Sequence, residues 1–289
     1  MPLSVGQGFD LFLQQLTPSP GEAAAKARHR GTVEASLRVA SFGVREFRET
    51  GSFTHGTGVR GYVDVDLLVS IRAARPGSSD TALGWVKDAL KRSLPTTAIV
   101  VRRPTVQVRF AGGAQTWEVL PAFVTARGGT AQVFDIPGAA SGWMDTAPTE
   151  HLAYVTQVNR RPQAAGGAKA LARLMKAWKY YNQVPASSFY LEMRAAQHMA
   201  DQTSFVPIWD LCWLLETLHG HRLTAMNDPM GKAGRFAACS SDATRHEALS
   251  KVATAATRAR KALDAYQKDD PATAFSYLNL LFNGRFPSR

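Results

Sequence analysis

Cysteine is nearly missing from the 289-residue sequence: Cys212 and Cys239 are the only two, and neither has metal-ligand spacing around it. That argues against a disulfide framework and against a zinc site. Cys212 lies among Leu211, Trp213 and Leu214, where a free thiol acts as a small apolar side chain. His219 and His221 form an isolated His-x-His after a leucine-rich stretch and read as a polar helix end. Long apolar runs are missing too. The greasiest stretch, 205–218, carries Asp210 and Glu216 and reads as a buried helix, so no membrane partner is expected. The start of the chain has no basic segment followed by an apolar one, which argues against a secretory signal and for a cytoplasmic protein. No repeat of solenoid length is visible.

What the sequence does have is positive charge: 34 Lys and Arg against 23 Asp and Glu, a net charge of +11. Such an excess suits an anionic partner, and nucleoside triphosphates, RNA or DNA would all serve. The basic residues are scattered, which weakens the reading of a nucleic-acid-binding arm. Nucleic acid as an activator is compatible with the charge, but no feature indicates it. Hydrophobic residues make up 45% and charged residues 20%, ordinary for a globular protein long enough for one large domain or two lobes.

The spacing of apolar residues divides the chain. Phe9, Phe12, Leu13 and Leu16 predict a helix that breaks at Pro18 and Pro20 and resumes toward Leu37. Strand-like runs follow at 61–71, 99–103, 105–110 and 116–123, with a hairpin turn expected at 111–114 and a helix at 81–92. After about residue 150 the strand signal disappears. Leu171, Leu174, Met175 and Trp178 form one helical stripe, and Leu249, Val252, Ala256, Ala259, Leu263 and Tyr266 another. The segment 160–168 reads as a connector, and Asp270-Pro271 as the cap and first residue of a last helix. The expected fold is therefore α+β: a mixed-sheet lobe over 1–150 that includes the N-terminal helix, then an all-helical lobe over 151–289, with a ligand cleft between them.

The chemistry concentrates in the segment from Gly51 to Val69. Side chains alternate along a strand, so Asp64 and Asp66 share a face while Val63, Val65 and Leu67 take the other. Adjacent carboxylates repel, and a cation relieves them; hard oxygen ligands suit Mg²⁺, which also bridges phosphates. A lone Asp-x-Asp also fits an exposed polar face on an edge strand. Two further features favour the metal. Gly51-Ser52 offers a small residue and a hydroxyl in a turn suited to phosphate oxygens. Glu118, between Trp117 and Val119, puts a third carboxylate on a second strand. Three carboxylates on neighbouring strands can hold two metals that clamp the attacking and leaving oxygens. The segment 56–61 fits the dinucleotide-binding Gly-x-Gly-x-x-Gly pattern, but a strand follows it where that pattern needs a helix, so it is set aside.

The Gly-Ser turn, the Asp-x-Asp strand and the carboxylate before Leu120-Pro121-Ala122-Phe123 resemble the DNA polymerase β-type nucleotidyltransferase superfamily. More narrowly they resemble the cGAS/DncV-like nucleotidyltransferases and the related 2′-5′ oligoadenylate synthetases. Leu174-Met175-Lys176-Ala177-Trp178-Lys179, Ser187-Ser188-Phe189-Tyr190-Leu191-Glu192 and 281–287 extend the resemblance over nearly the whole chain. It implies a polymerase β-type core followed by a helical lobe. Asp64, Asp66 and Glu118 would be catalytic ligands of two Mg²⁺ ions, for which Mn²⁺ can substitute. Gly51 and Ser52 would meet the terminal phosphates, Lys176 and Ser188 would hold the triphosphate, and Phe189 would lie near a base. Lys176 falls off the stripe of its helix, so its ammonium is expected to be free to reach the cleft. Glu118 departs from the commoner Asp, which raises the question of lowered activity.

The function so implied is condensation of nucleoside triphosphates, ATP among them, into a cyclic di- or oligonucleotide second messenger in bacterial antiphage defence. A downstream effector would respond to the product. Two alternatives stay open: an enzyme adding nucleotides to RNA or to a small molecule, and a catalytically silent member that binds nucleotide or RNA.

Overall fold

The computed structural model describes residues 2–62, 64–110 and 115–289. Helix α1 (Val5–Leu16) opens on a capping box, in which the Ser4 hydroxyl accepts from the Gln7 amide and the Gln7 side chain accepts from the Ser4 amide. Its apolar stripe, Val5, Phe9, Phe12 and Leu16, is buried. Helix α2 (Pro20–Arg38) follows the proline break. Strand β1 (Val44–Thr50), the short helix α3 (Gly51–Thr54) and strand β2 (Asp64–Ile71) come next, then helix α4 (Ser79–Ser93). The sheet continues with β3 (Ala98–Arg102), β4 (Thr105–Phe110), β5 (Gln115–Val124), β6 (Phe134–Pro137) and β7 (Trp143–Thr146).

Strand order is β1-β2-β5-β4-β3, with β6 paired to β5 and β7 to β6. Among the described strands of this sheet, only β2 and β5 run parallel. A parallel pair needs a long crossover, and α4 with the β3–β4 hairpin supplies it. The turn expected at 111–114 lies outside the described residues, as does Val63; the strands flanking the turn pair antiparallel, Phe110 opposite Gln115. Strand β1 went unread in the sequence. Its residues, Val44-Arg45-Glu46-Phe47-Arg48-Glu49-Thr50, are mostly charged and lack an apolar alternation, because most of them are half-buried at the sheet's edge. One apolar core fills the space between the sheet and α2 and α4, built on Val65, Leu67, Val69, Val86, Leu90, Trp117 and Val119.

The second half is helical: α5 (Pro148–Asn159), α6 (Gly167–Tyr181), α7 (Ser188–Ala200), α8 (Pro207–Gly220), α9 (Asp242–Gln267) and α10 (Pro271–Leu281), with a two-residue ladder of β8 (Met226–Asn227) and β9 (Arg235–Phe236). The stripe of Leu171, Leu174, Met175 and Trp178 is buried on α6. Asp270 caps α10 by accepting from the Thr273 amide, with Pro271 at the first helical position. On α9, Val252, Ala256, Ala259 and Leu263 are buried but Tyr266 is 41% exposed, because the stripe has turned away by its last turn. Segment 160–168 is less of a loop than expected: a 3₁₀ turn occupies Pro162–Ala164 and α6 begins at Gly167.

Helix α1, expected to go with the sheet, packs instead in the helical core. Phe12 lies edge-on to Phe282 and Phe286, at ring-centroid distances of 4.7 Å and 5.2 Å. Gly8 allows the approach: a Cβ there would come within 2.8 Å of the Phe275 ring. The two ends of the chain are thus stitched together by aromatic rings. Phe12→Ala should cost about 3–5 kcal/mol of stability, as large buried-ring deletions do. Urea unfolding of the two proteins measures this, and a loss below about 1 kcal/mol would show that α1 is peripheral.

Candidate active site

Register brings the expected carboxylates together. In the parallel pair, Asp66 stands beside Glu118 and Asp64 beside Thr116, while Val65 and Leu67 of β2 and Trp117 and Val119 of β5 are buried in the sheet core. Thr50 pairs with Asp66 on the other side, so the chain turns into α3 directly over that carboxylate. Gly51 takes φ +70°, and a Cβ there would fall 1.7 Å from Asp66 Oδ2. No side chain fits between that turn and Asp66, which explains glycine at 51 on both counts. The Asp-x-Asp pattern is therefore not an exposed polar edge: Asp64, Asp66 and Glu118 are all half-buried, and β2 lies inside the sheet.

The cluster is electrostatically strained. Burial, then repulsion from Glu118 and Asp64, pushes the Asp66 carboxyl well above the usual carboxylate range. Burial also raises Asp64, against the pull of Lys179 and Arg109. Glu118 is raised by burial and by Asp64, while a hydrogen bond from Gln107 Nε2, at 2.8 Å to Oε1, works the other way. Gln107 in turn accepts from Arg109 Nη2 at 3.2 Å. Both residues sit on β4, where Gln107 pairs with Glu118 and Arg109 with Thr116.

This donor set fits divalent cations: it is all carboxylate oxygen, and its members are destabilised by one another's charge. Among the described residues no three such groups already converge on one point. That suits Mg²⁺, which takes one or two carboxylates and completes its shell with substrate phosphates and water.

The two lysines of α6 occupy different places. The Lys176 ammonium, expected to be free to reach the cleft, is buried: it is 1% exposed, bonded to Glu192 and 2.7 Å from the Thr57 hydroxyl. Lys179, one turn on, donates to Ser188 Oγ at 2.6 Å. Burial and the neighbouring Lys176 push Lys179 down to about 8, against the attraction of Asp64, Glu118 and Asp66. Ser188 also lies 3.3 Å from the Tyr180 hydroxyl, whose pKa is pushed well up by burial and by the carboxylates. Tyr62, two residues before Asp64, stacks on Tyr180 with centroids 4.7 Å apart and planes 9° from parallel. Phe189 packs away from these groups, 5.0 Å from the His151 ring and 4.9 Å from Phe236.

Lys179, Gln107, Arg109, Tyr62 and Tyr180 were not picked out in the sequence. The spacing of Lys176 and Lys179 puts both on one side of α6, which was a usable signal; which of them is buried depends on what packs above.

Residues 3–159, more than half the chain, match the Second Messenger Oligonucleotide or Dinucleotide Synthetase domain. The chain belongs to that family. It is a nucleotidyltransferase of the second-messenger synthetase kind, with the polymerase β-type core expected from its motifs. No curated protein matches the sequence. Among solved structures, CdnC of E. coli MS115-1, determined with ATP, is similar over 99% of both chains at 17% identity and a TM-score of 0.75. CdnG of Bradyrhizobium diazoefficiens, in complex with GTP, covers 96% of this chain and 97% of its own at 13% identity, with a TM-score of 0.69. The Vibrio cholerae cyclic AMP-GMP synthase DncV, with a linear intermediate, covers 84% of this chain and 69% of its own at 15% identity and a TM-score of 0.63. At these identities the likeness is one of fold.

For the synthetase site the raised carboxyl groups have a measurable sign. Their folded-state pKa values exceed the unfolded ones, so the stability they contribute is present at low pH and lost as pH rises through the raised values. At pH 7 without metal they cost the fold energy. Asp66→Asn should therefore melt higher than the parent in EDTA at pH 7, by about 2–4 °C per kcal/mol relieved, and the gap should close toward about pH 4. Thermal melts at both pH values check this, and a lower melting point for the variant at pH 7 would refute the strain.

Proposed function

We propose that this synthetase condenses nucleoside triphosphates into a cyclic di- or oligonucleotide, with Asp64, Asp66 and Glu118 holding two Mg²⁺ ions, and that the product serves bacterial antiphage defence. The observation that carries the reading is the register placing Glu118 beside Asp66, the residue that lies against the Gly51–Ser52 turn. Metal bound there would lower the pKa of an attacking ribose hydroxyl and neutralise the departing pyrophosphate.

The protein's own groups position the reactants. The Gly51–Ser52 turn lies directly against Asp66 and would offer the terminal phosphates its backbone and the Ser52 hydroxyl as donors. Ser188 and Lys179 would meet the triphosphate from the helical lobe, since both lie together and Lys179 is within the field of all three carboxylates. Lys176, expected in that role, is committed to Glu192 and would act by holding the loop above the strand. Phe189 would line the base side with His151 and Phe236 behind it. In the reaction the ribose hydroxyl gives up its proton to solvent and its oxygen forms a bond to the α-phosphorus, the bond from that phosphorus to the β-phosphate bridge breaks, and pyrophosphate leaves. Repetition on the linear product closes the ring and releases another pyrophosphate. Alignment and charge stabilisation supply the acceleration.

Three carboxylates are present on two neighbouring strands, which favours an active enzyme over a silent binder. Glu118 is longer than the commoner Asp, and Gln107 steadies the extra length. The bound ATP and GTP of CdnC and CdnG support purine nucleotides as substrates, and a CdnC–HORMA complex supports control by a protein partner. No helix among the described residues is long and apolar enough to cross a membrane. The proposed product is a diffusible messenger read by an effector in the cytoplasm.

Incubation with labelled nucleotide mixtures and Mg²⁺ or Mn²⁺ should yield a phosphatase-resistant cyclic product. The combined Asp64→Asn and Asp66→Asn protein should yield none while remaining folded; turnover at the parental rate would refute the metal assignment. Glu118→Gln should cripple turnover, whereas Glu118→Asp should retain some, because the carboxylate survives.

The lysines separate by calorimetry and melting. Lys179→Met should weaken binding of a non-hydrolysable triphosphate about ten- to a hundredfold, as loss of a charge-assisted bond does, with little change in melting point. Lys176→Met should instead destabilise the fold by about 3–5 kcal/mol, because it leaves Glu192 without its buried cation. The opposite pattern would return the triphosphate role to Lys176.

A further inference from the structure

A fully buried polar cluster joins the helical lobe to the loop above the carboxylates. His55 is 4% exposed, Thr57 0%, Lys176 1% and Glu192 2%. Glu192 Oε1 is bonded to His55 Nδ1, and Oε2 to the Lys176 ammonium. The Thr57 hydroxyl donates to Glu192 Oε2 at 2.6 Å and accepts from Lys176 Nζ at 2.7 Å. Both carboxylate oxygens are thereby engaged. Burial opposes the charge on Glu192, but Lys176 and His55 outweigh it and hold this carboxyl well below the usual range.

The loop so gripped is the one that shapes the site. The His55 amide donates to the Gly51 carbonyl at 3.0 Å, and the Thr57 amide to the Ser52 carbonyl at 2.9 Å. Arg173, also on α6, donates to the carbonyls of Gly56 at 2.6 Å and Gly58 at 3.0 Å. Gly51 itself lies against Asp66. The path is short and continuous: Glu192 on α7, then His55 and Thr57, then the backbone of Gly51 and Ser52, then Asp66 on β2. The Asp66 carboxyl also feels both Lys176 and Glu192 electrostatically. A buried ion pair is a poor source of net stability compared with apolar side chains of the same size. What it supplies is direction, since each bond fixes the angle of the group it holds.

We infer that Glu192 is a positioning residue for the metal site: through His55 and Thr57 it sets the Gly51–Ser52 turn over Asp66, so the helical lobe determines the geometry of the carboxylate strand. This rests on the reading of Asp64, Asp66 and Glu118 as metal ligands.

Thr57 gives the cleanest probe, because valine keeps its shape and removes only the hydroxyl, while serine restores it. With a non-hydrolysable triphosphate present, Thr57→Val should bind Mn²⁺ about tenfold more weakly by electron paramagnetic resonance. Its kcat for pyrophosphate release should fall about ten- to a hundredfold, the scale expected of a sub-ångström to 1 Å misplacement, with KM within about threefold. Thr57→Ser should recover both. A second variant, Glu192→Gln with Lys176→Met, removes the charge pair without stranding either charge, and should show the same losses at a temperature well below its melting point. Parental Mn²⁺ affinity and kcat in either folded variant, or equal losses in Thr57→Val and Thr57→Ser, would overturn the inference. The parent reading fails separately: it falls if Asp66→Asn keeps the parental Mn²⁺ affinity, whatever Thr57→Val does.

Discussion

Three carboxylates on one side of two adjacent parallel strands repel one another, and the surrounding structure is arranged around that repulsion. Strand register creates it by setting Asp66 beside Glu118 with Asp64 two residues away. Burial sharpens it, because the sheet beneath is packed with Trp117, Val119, Val65 and Leu67 and offers no polar relief. Relief comes from the rim: Gln107 donates to Glu118, and the charges of Arg109 and Lys179 attract Asp64. Under the proposed reading, this strain marks where cations and a polyanion would be accommodated together.

The helical lobe meets this strand with two lysines that do opposite work. Lys179 stands with Ser188, lowered by burial yet attracted by the three carboxylates. Lys176 is spent inside, closing a network with Glu192, Thr57 and His55. Residue chemistry is the same in both cases; the difference is which one finds a buried carboxylate waiting. The aromatic pair Tyr62 and Tyr180 then borders the site, so both lobes contribute to its rim. Helix α1 and the C-terminal rings tie the helical lobe to the start of the chain, which leads by way of α2 and β1 into the Gly51–Ser52 turn.

Much of the fold is readable from local pattern, because periodicity survives wherever one face is buried and the other is not. The stripe of α6, the β4 strand at 105–110 and the cap at Asp270 are of this kind. Strand β1 is not: charged side chains half-buried at a sheet edge leave no alternation to read. Helix α1 was legible as a helix, but its partners are the rings of Phe282 and Phe286, at the far end of the chain, and no local pattern reports a neighbour so distant.

The sequence by itself determined the chemistry of the site. Asp64 and Asp66 two apart on a strand must share a face, glycine before serine marks a turn with backbone freedom, and Glu118 between Trp117 and Val119 must turn away from the apolar side. These follow from strand geometry and hold in any fold that keeps the strands. Only the tertiary structure decided that β2 and β5 lie parallel with Asp66 beside Glu118, that Gly51 crosses directly over Asp66, and that Lys176 is bound by the buried Glu192 while Lys179 bonds Ser188. Register, crossing and burial are relations between segments far apart in the chain, and two lysines three residues apart on one helix become different only through what packs against each.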